Sequence, residues 1–183
     1  MVARAVPSRK AEFAGGRAAA RAALAKLGEM PLPIPVGEGR APVWPKGFVG
    51  SITHTADMCL AMVGHDKTFQ SLGIDLDLDR PLPADIISEV VLTAELRAAG
   101  DPEQVARRIF SAKEALFKAQ FPQSHAFIGF HAMQCDLHHG RAIFTDHAEN
   151  VAIPTALRAR GLPIRQWRSG GLILSVSAPL IHY

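Results

Sequence analysis

Three aspartates at alternate positions are the first residues whose types and spacing suggest chemistry. Residues 72–79 read Leu-Gly-Ile-Asp-Leu-Asp-Leu-Asp, which places Asp75, Asp77 and Asp79 between apolar residues. A period of two predicts a half-buried strand with the carboxylates on one face, within about 7 Å of each other. Crowded carboxylates suit Mg²⁺, which takes one or two of them together with water and substrate phosphates. The alternative interpretation is a solvated strand face that runs into a turn at Arg80-Pro81.

A second candidate pair lies on a predicted helix. Glu114 and Lys118 are one helical turn apart, in a segment that we expect to begin at Pro102 and to end at Phe121, before the next proline. Asp101 is a favoured N-cap, and proline is favoured in the first turn. Glutamate followed by lysine at this spacing forms an ion pair, and an exposed pair on the helix surface is one interpretation. Aromatic residues on both sides favour a partly buried pair instead.

A third group of charges is basic. Residues 8–27 are predicted to form a helix with Ser8 as N-cap and Gly28 after its end, because apolar residues recur at helical spacing. Arg17 and Arg21 lie one turn apart on this helix, off the apolar stripe. Like charges at this spacing repel each other unless an anion lies between them. The pair therefore indicates either an anion site or a solvated basic face.

Helices and strands must position these groups. The stretch 48–55 is predicted to be a strand that ends in polar residues, and His54 in it is a candidate for ligand contact because it follows small polar residues. The Pro/Gly-rich residues 29–47 are predicted to form a loop. The remaining predicted elements are a strand or buried segment at 58–63, a helix within 81–100, and strands at 142–144 and 172–178.

Composition limits the class of protein. The 183 residues suit one domain or two small, tightly joined halves, and 48% of them are hydrophobic. No apolar run approaches the roughly 20 residues of a membrane span, and residues 1–13 lack a signal-peptide core. Two cysteines outside any CxxC pair fit a reducing compartment. We therefore expect a cytoplasmic protein without a membrane span, and the absence of a basic-aromatic motif argues against nucleic acid as a partner.

Six motifs occur in a characteristic order along residues 8–130. They are Arg9–Phe13 (RKAEF), Gly16–Leu24 (GRAAARAAL), Pro42–Gly47 (PVWPKG), Gly50–His54 (GSITH), Gly73–Asp77 (GIDLD) and Phe110–Lys118 (FSAKEALFK). This series resembles the 4′-phosphopantetheinyl transferases, in particular the bacterial, enterobactin synthetase component D-like type associated with siderophore and other non-ribosomal peptide synthetases. The GID and SAKEA motifs at this separation are specific to that superfamily.

The resemblance implies a fold and a reaction. It implies an α+β fold of two similar halves, 1–85 and 86–183, related by a pseudo-twofold axis, with the active site at their junction. It implies Mg²⁺-dependent transfer of the 4′-phosphopantetheine group of coenzyme A to a serine of an acyl, peptidyl or aryl carrier protein, with release of adenosine 3′,5′-bisphosphate. We expect a monomer, with coenzyme A and a carrier domain as its partners.

The resemblance also implies roles for individual residues. Asp75 and Glu114 would hold Mg²⁺, one from each half, with Asp77 as a third or water-mediated ligand. Lys118 would reach the same phosphates, so that Asp75, Glu114 and Lys118 form the catalytic set. The residues implied on the nucleotide side are Arg9, Arg17, Thr53 and His54 around the 3′-phosphate, and Arg40, Ala41 and Pro42 along the adenine.

Several points stay open at this stage. The general base for the carrier serine is Glu114, directly or through water, or alternatively Glu95. The family commonly has glutamate where this chain has Asp77, which shortens the reach of a direct ligand. A non-catalytic module that binds coenzyme A or a carrier protein is the alternative function, and an unrelated Mg²⁺-dependent phosphohydrolase is a third.

Overall fold

Helices and antiparallel strands alternate along the chain. The computed structural model describes residues 6–55, 58–97 and 101–181. The helices are α1 (Pro7–Ala25), α2 (Ile87–Val90), α3 (Pro102–Ser124) and α4 (Thr155–Arg160). The strands are β1 (Phe48–Thr55), β2 (Met58–His65), β3 (Gly73–Leu78), β4 (Met133–Asp136), β5 (Arg141–Phe144), β6 (Leu162–Pro163), β7 (Arg165–Ser169) and β8 (Leu172–Ser177). This mixture agrees with the α+β class. No helix among the described residues is long and apolar enough to cross a membrane.

The strands form three small antiparallel sheets. Their orders are β1-β2, β3-β8-β7 and β4-β5-β6. The aspartate strand β3 pairs with β8 near the end of the chain, with Asp75 opposite Ser175. On its other side, β3 meets side chains of β1 instead of a backbone ladder: the Ile74 amide donates to Ser51 Oγ at 3.0 Å, and the Leu76 amide donates to Thr53 Oγ1 at 3.1 Å. These hydroxyls satisfy backbone donors that a sheet edge would leave unpaired.

Helix α3 packs against β3 and β8 and carries much of the core. Its buried stripe includes Ala112, Ala115, Leu116 and Ala119. Small residues let the backbones approach closely, and a Cβ added to Gly73 would overlap the carbonyl oxygen of Ala115 and lie 2.6 Å from the amide nitrogen of Ala119. This close approach brings the carboxylates of β3 opposite the charged residues of α3.

A second core cluster joins α1 to the β1-β2 hairpin. It consists of Ala20, Leu24, Ile34 and Phe48, with Trp44 packed against it. Ile34 comes from the Pro/Gly-rich segment, so that segment is held against the helix, although most of it has no regular structure, as predicted. Gly28, with φ +85°, follows the end of α1.

The predicted strands and the α3 cap are confirmed, although the first four residues of β3 are buried on both faces and not half-buried as predicted. Three helix predictions are wrong. Asp101 caps α3 by accepting from the Glu103 amide at 3.0 Å, as predicted. Helix α1 begins at Pro7, so Ser8 is not its cap. Pro122 lies inside the last turn of α3, which continues to Ser124.

The third error concerns the helix predicted within 81–100. Only α2 and short 3-10 turns at Ala84–Ile86 and Glu95–Arg97 form there, and residues 98–100 lie outside the described part. Val91 is extended (φ −113°, ψ 131°), and the next amide, that of Leu92, donates to the Glu95 side chain at 2.8 Å. The carboxylate thus replaces a helical hydrogen bond at this point.

Candidate active site

Asp75 and Lys118 connect β3 to α3. Asp75 is buried, and Lys118 Nζ donates to its Oδ1 at 2.9 Å and to the Ile74 carbonyl at 3.0 Å. Thr53 Oγ1 donates to the same carboxylate at 3.4 Å. The ion pair expected within the helix, between Glu114 and Lys118, is therefore replaced by a pair between elements. Because its carboxylate partner lies on β3, the position of the Lys118 ammonium depends on the packing of α3 against β3 and not on the helix alone.

The carboxylate of Glu114, unlike that of Asp75, is not paired with a cation of the described residues. It is half-buried and, among the described residues, forms no hydrogen bond or ion pair through its side chain. Burial raises the pKa of Glu114, the nearby Lys118 lowers it, and the negative charges of Asp75 and Asp77 raise it further. A carboxylate that is partly desolvated and close to two others has a raised affinity for a proton or a metal cation.

Asp77 faces an arginine that was not singled out in the sequence. Arg107 Nη1 donates to Asp77 Oδ2 at 2.9 Å, while Asp77 Oδ1 accepts from the Leu78 amide at 2.8 Å. Arg107 Nε donates in addition to the Arg80 carbonyl at 3.0 Å. The signal for Arg107 lay in its spacing: it precedes Glu114 by seven residues, or two helical turns, and so shares its face.

These groups surround one open cavity of about 360 Å³ between β1, β3 and α3. Six of the predicted site residues line it, namely Thr53, His54, Asp75, Asp77, Glu114 and Lys118. Arg107 and Phe110 complete the wall on the α3 side. Within the described ranges, no three His, Cys, Asp or Glu side chains are grouped so as to hold a metal ion by themselves.

A second cavity of about 400 Å³ adjoins the first and shares Lys118 and Ile52 with it. Its walls are residues 37–44 of the loop and the aromatic end of α3, including Phe117 and Phe121. The predicted residues Arg40, Ala41 and Pro42 all line it. The 400 Å³ cavity is mostly apolar and the 360 Å³ cavity is charged, and Lys118 lies between them.

Comparison with known proteins identifies the family. A family model described as the 4′-phosphopantetheinyl transferase N-terminal domain matches residues 1–64, and one described as the 4′-phosphopantetheinyl transferase superfamily matches residues 71–168. The second match covers more than half of the chain. The chain belongs to the 4′-phosphopantetheinyl transferase superfamily. The resemblance seen in its motifs is thereby confirmed.

Curated relatives agree with this assignment. The chain is 40% identical over 133 residues to 4′-phosphopantetheinyl transferase Npt of Nocardia iowensis, a match that covers 71% of this chain and 60% of the relative. It is 45% identical over 127 residues to 4′-phosphopantetheinyl transferase Svp of Streptomyces mobaraensis, covering 66% and 52%. It is 32% identical over 151 residues to enterobactin synthase component D of Escherichia coli (strain K12), covering 76% and 71%. The chain thus spans little more than half the length of the first two.

Of the basic residues predicted for the nucleotide side, Arg40 and His54 line these cavities, whereas Arg9 and Arg17 line neither. Arg9 is exposed and, with His54, faces Glu12: Arg9 Nη1 lies 3.3 Å and His54 Nε2 lies 3.1 Å from Glu12 Oε2. Arg17 is buried, contrary to the expectation that it lies off the apolar stripe. Its Nε donates to the Ile34 carbonyl at 2.8 Å, and its burial lowers its pKa.

Glu95, the alternative base, lies away from both cavities. Its side chain is fully buried (0% exposed) and forms an ion pair with Lys113 at 2.8 Å. The same carboxylate accepts from the amides of Leu92 at 2.8 Å and Cys135 at 2.6 Å. Lys113 Nζ also donates to the Val90 carbonyl at 2.9 Å. In this superfamily member the SAKEA motif thus supplies a buried lysine that holds the segment before α3, directly beside Glu114.

A third, apolar cavity of about 220 Å³ lies on the other side of Glu114. It is lined by Phe117, Phe127, Ile128, Gly129, Phe130 and Met133, together with Lys113 and Glu114. Phe127 is 68% exposed at its rim. Glu114 therefore lies between a charged cavity and an apolar one, an arrangement that the sequence motifs did not reveal because Phe127–Met133 follow α3 without a periodic pattern.

Proposed function

We propose that this chain transfers the 4′-phosphopantetheine group of coenzyme A to a serine of a carrier protein. The serine Oγ attacks the phosphorus that bears the pantetheine arm, and the bond from this phosphorus to the bridging oxygen breaks. Adenosine 3′,5′-bisphosphate leaves, and the serine proton passes to a base. The observation that carries the proposal is the convergence of Asp75, Glu114 and Lys118 on one cavity in a member of this superfamily.

The carboxylates fit a divalent cation that takes its remaining ligands from phosphate and water. Asp75 Oδ2 and the Glu114 carboxylate have no hydrogen-bond partner among the described residues, and the like charges of Asp75 and Asp77 already raise the pKa of Glu114. Mg²⁺ bound by Asp75 and Glu114 would neutralise charge on the diphosphate. Asp77 was predicted from the sequence as a third or water-mediated ligand, but both of its oxygens already accept hydrogen bonds.

The protein groups have separate roles in the proposed step. Lys118, fixed by Asp75 and the Ile74 carbonyl, keeps an ammonium between the two cavities, where it can bind the diphosphate. Glu114 accepts the serine proton, directly or through water, because its carboxylate lines the charged cavity and has no hydrogen-bond partner among the described residues. The buried ion pair of Glu95 supports the choice of Glu114 as base, because both Glu95 oxygens already accept hydrogen bonds.

Two of the cavities suit the two ends of coenzyme A. The 400 Å³ cavity, with Arg40–Pro42 and aromatic walls, is proposed for the adenine. Arg9, Arg17, Thr53 and His54 are proposed for the 3′-phosphate by resemblance, and Thr53 and His54 line the adjoining charged cavity. The apolar cavity beyond Glu114 is suited to a largely uncharged pantetheine arm. A division into pseudo-twofold halves at residue 85, with the site at their junction, is kept as a proposal, as are a monomeric state and a cytoplasmic location.

Incubation with coenzyme A, Mg²⁺ and a panel of carrier domains tests this function. The expected result is a mass gain of one phosphopantetheine group on a carrier, absent from the same carrier with its acceptor serine replaced by alanine. Tight binding of coenzyme A without a mass gain would indicate a non-catalytic module. Cleavage of coenzyme A without any carrier would indicate a hydrolase. Either of these two outcomes would overturn the proposal.

A further inference from the structure

We propose that Asp77 anchors Arg107 and is not a ligand of the cation, so that Asp75 and Glu114 are the only protein carboxylates on the metal. The inference rests on the proposed function, because it concerns the cation of that site. It replaces the sequence-based expectation of a third carboxylate ligand. It also makes Arg107 a positioning residue, which holds the Asp77 carboxylate.

Both oxygens of Asp77 already have partners. Oδ2 accepts from Arg107 Nη1 at 2.9 Å and Oδ1 accepts from the Leu78 amide at 2.8 Å. The side chains of Asp77 and Arg107 are only 19% and 13% exposed, so water screens this pair less than a surface pair. A cation bound to the same carboxylate would lie beside a guanidinium and meet its repulsion.

Arg107 is also held by groups other than Asp77. Its Nε donates to the Arg80 carbonyl at 3.0 Å and its Nη2 to the Pro81 carbonyl at 3.4 Å. These carbonyls belong to the turn that follows β3, so the arginine ties that turn to α3. Three acceptors around one side chain suit the several donors of a guanidinium fork, which lysine lacks.

Asp77 has little freedom to leave this pair. Its backbone lies in β3, opposite Ile173 of β8, and an aspartate has a single methylene between backbone and carboxylate. Turning the carboxylate toward Glu114 would require it to abandon Arg107 or to shift the paired strand. Asp75, two residues earlier, keeps Oδ2 without a described partner and is therefore the carboxylate of β3 that can bind a cation.

The pairing also sets the charge that the protein contributes to the site. Three carboxylates, Asp75, Asp77 and Glu114, face two cations, Lys118 and Arg107, which leaves a single net negative charge. One uncompensated charge holds a hydrated divalent ion weakly, and the diphosphate must supply much of the attraction. We therefore expect the cation to bind tightly only together with coenzyme A.

Mn²⁺, followed by electron paramagnetic resonance at saturating coenzyme A, tests the ligand set. Asp77→Asn should change the Mn²⁺ affinity by less than about threefold, whereas Asp75→Asn and Glu114→Gln should each lower it by roughly tenfold or more. Arg107→Gln should raise the affinity by releasing Asp77, and adding Asp77→Asn should remove most of that gain. A loss in Asp77→Asn as large as that in Asp75→Asn would overturn the proposal.

Thermal unfolding without metal or coenzyme A tests the Asp77–Arg107 pair independently of metal binding. Asp77→Asn should lower the unfolding midpoint by about 2–4 °C, and Arg107→Gln should lower it further, because that variant also loses the hydrogen bonds to the Arg80 and Pro81 carbonyls. The double variant should melt at about the same temperature as Arg107→Gln, since the pair with Asp77 is already broken in that single variant. Additive shifts would refute the pairing. If the wild-type protein bound no Mn²⁺ even with coenzyme A, the proposed function would fail, and these melting data would still decide whether Asp77 belongs to Arg107.

Discussion

Glu114 differs from the other two carboxylates of its cavity because neither a lysine nor an arginine of the described ranges forms an ion pair with it. In the metal-free protein it therefore lies near like charges that are only partly compensated. Glu114→Gln should leave the free energy of unfolding unchanged or raise it at neutral pH, since it removes this repulsion. Urea unfolding of the metal-free protein measures the effect. A clear loss of stability would show that Glu114 has a supporting partner.

The raised pKa of Glu114 also predicts a dependence of stability on pH. The folded state binds the proton more tightly than the unfolded chain, in which the pKa is near 4.5. The contribution of this group is therefore fully present below that value and is lost as the pH rises from there through the raised folded pKa. The difference in unfolding free energy between wild type and Glu114→Gln should change across this window in favour of the variant. A constant difference would contradict the shift.

Glu95 is a second glutamate with which Glu114 can be compared. It is fully buried and forms an ion pair with Lys113, the residue before Glu114. Glu95→Gln should cost about 3–5 kcal/mol of stability, because it leaves a buried ammonium without its counter-charge. Urea unfolding of Glu95→Gln and Glu114→Gln, measured side by side, compares their free energies of unfolding. Equal stability of the two variants would show that the Lys113 pair is not the support that the geometry indicates.

His54 and Arg9 are assigned to the 3′-phosphate by resemblance, and their loss should discriminate between ligands. Each variant, His54→Ala or Arg9→Ala, should weaken coenzyme A by roughly 1.5–3 kcal/mol and dephospho-coenzyme A, which lacks the 3′-phosphate, much less. Calorimetric titration with both ligands gives the two values. Equal losses would place these residues elsewhere. Arg17 is less suitable for this test, because its burial against the Ile34 carbonyl also gives it a structural role.

At the level of elements, the site depends on the close approach of β3 and α3. Gly73→Ala would push a methyl group into the backbone of α3 at Ala115 and Ala119. Because a helix backbone cannot yield as a flexible side chain does, we expect a loss of about 3 kcal/mol or more in stability and a displaced Glu114. Gly129→Ala is the matched control, since nothing lies within 4 Å of its added Cβ. Similar melting curves for the two variants would contradict this account of the packing.

The sequence predicted the elements whose signals are local. The period of two from 72 to 79 and the Asp101-Pro102 start of α3 depend only on neighbouring residues, and both elements form. The helix within 81–100 fails because the Glu95 carboxylate takes the Leu92 amide, and that carboxylate is held by a lysine 18 residues later. The partners of Lys118 and Asp77 could not be predicted either, since both lie on elements distant in sequence.

For the whole molecule, β3 acts as the link between early and late parts of the chain. Its backbone amides donate to hydroxyls of β1, and it pairs with β8 and packs against α3. The carboxylates of β3 line the charged cavity, and the α3 residues Glu114, Phe117 and Lys118 are each shared by two of the three cavities.

The central proposal is that the site around Glu114 transfers phosphopantetheine to a carrier protein. The most direct measurement is the single-turnover rate of carrier loading, followed by mass spectrometry at saturating coenzyme A and Mg²⁺, for wild type and Glu114→Gln side by side. We predict that the wild-type protein loads the carrier and that the variant, although at least as stable, loads it roughly 10²–10⁴-fold more slowly. A folded variant that loads the carrier at nearly the wild-type rate would contradict the account.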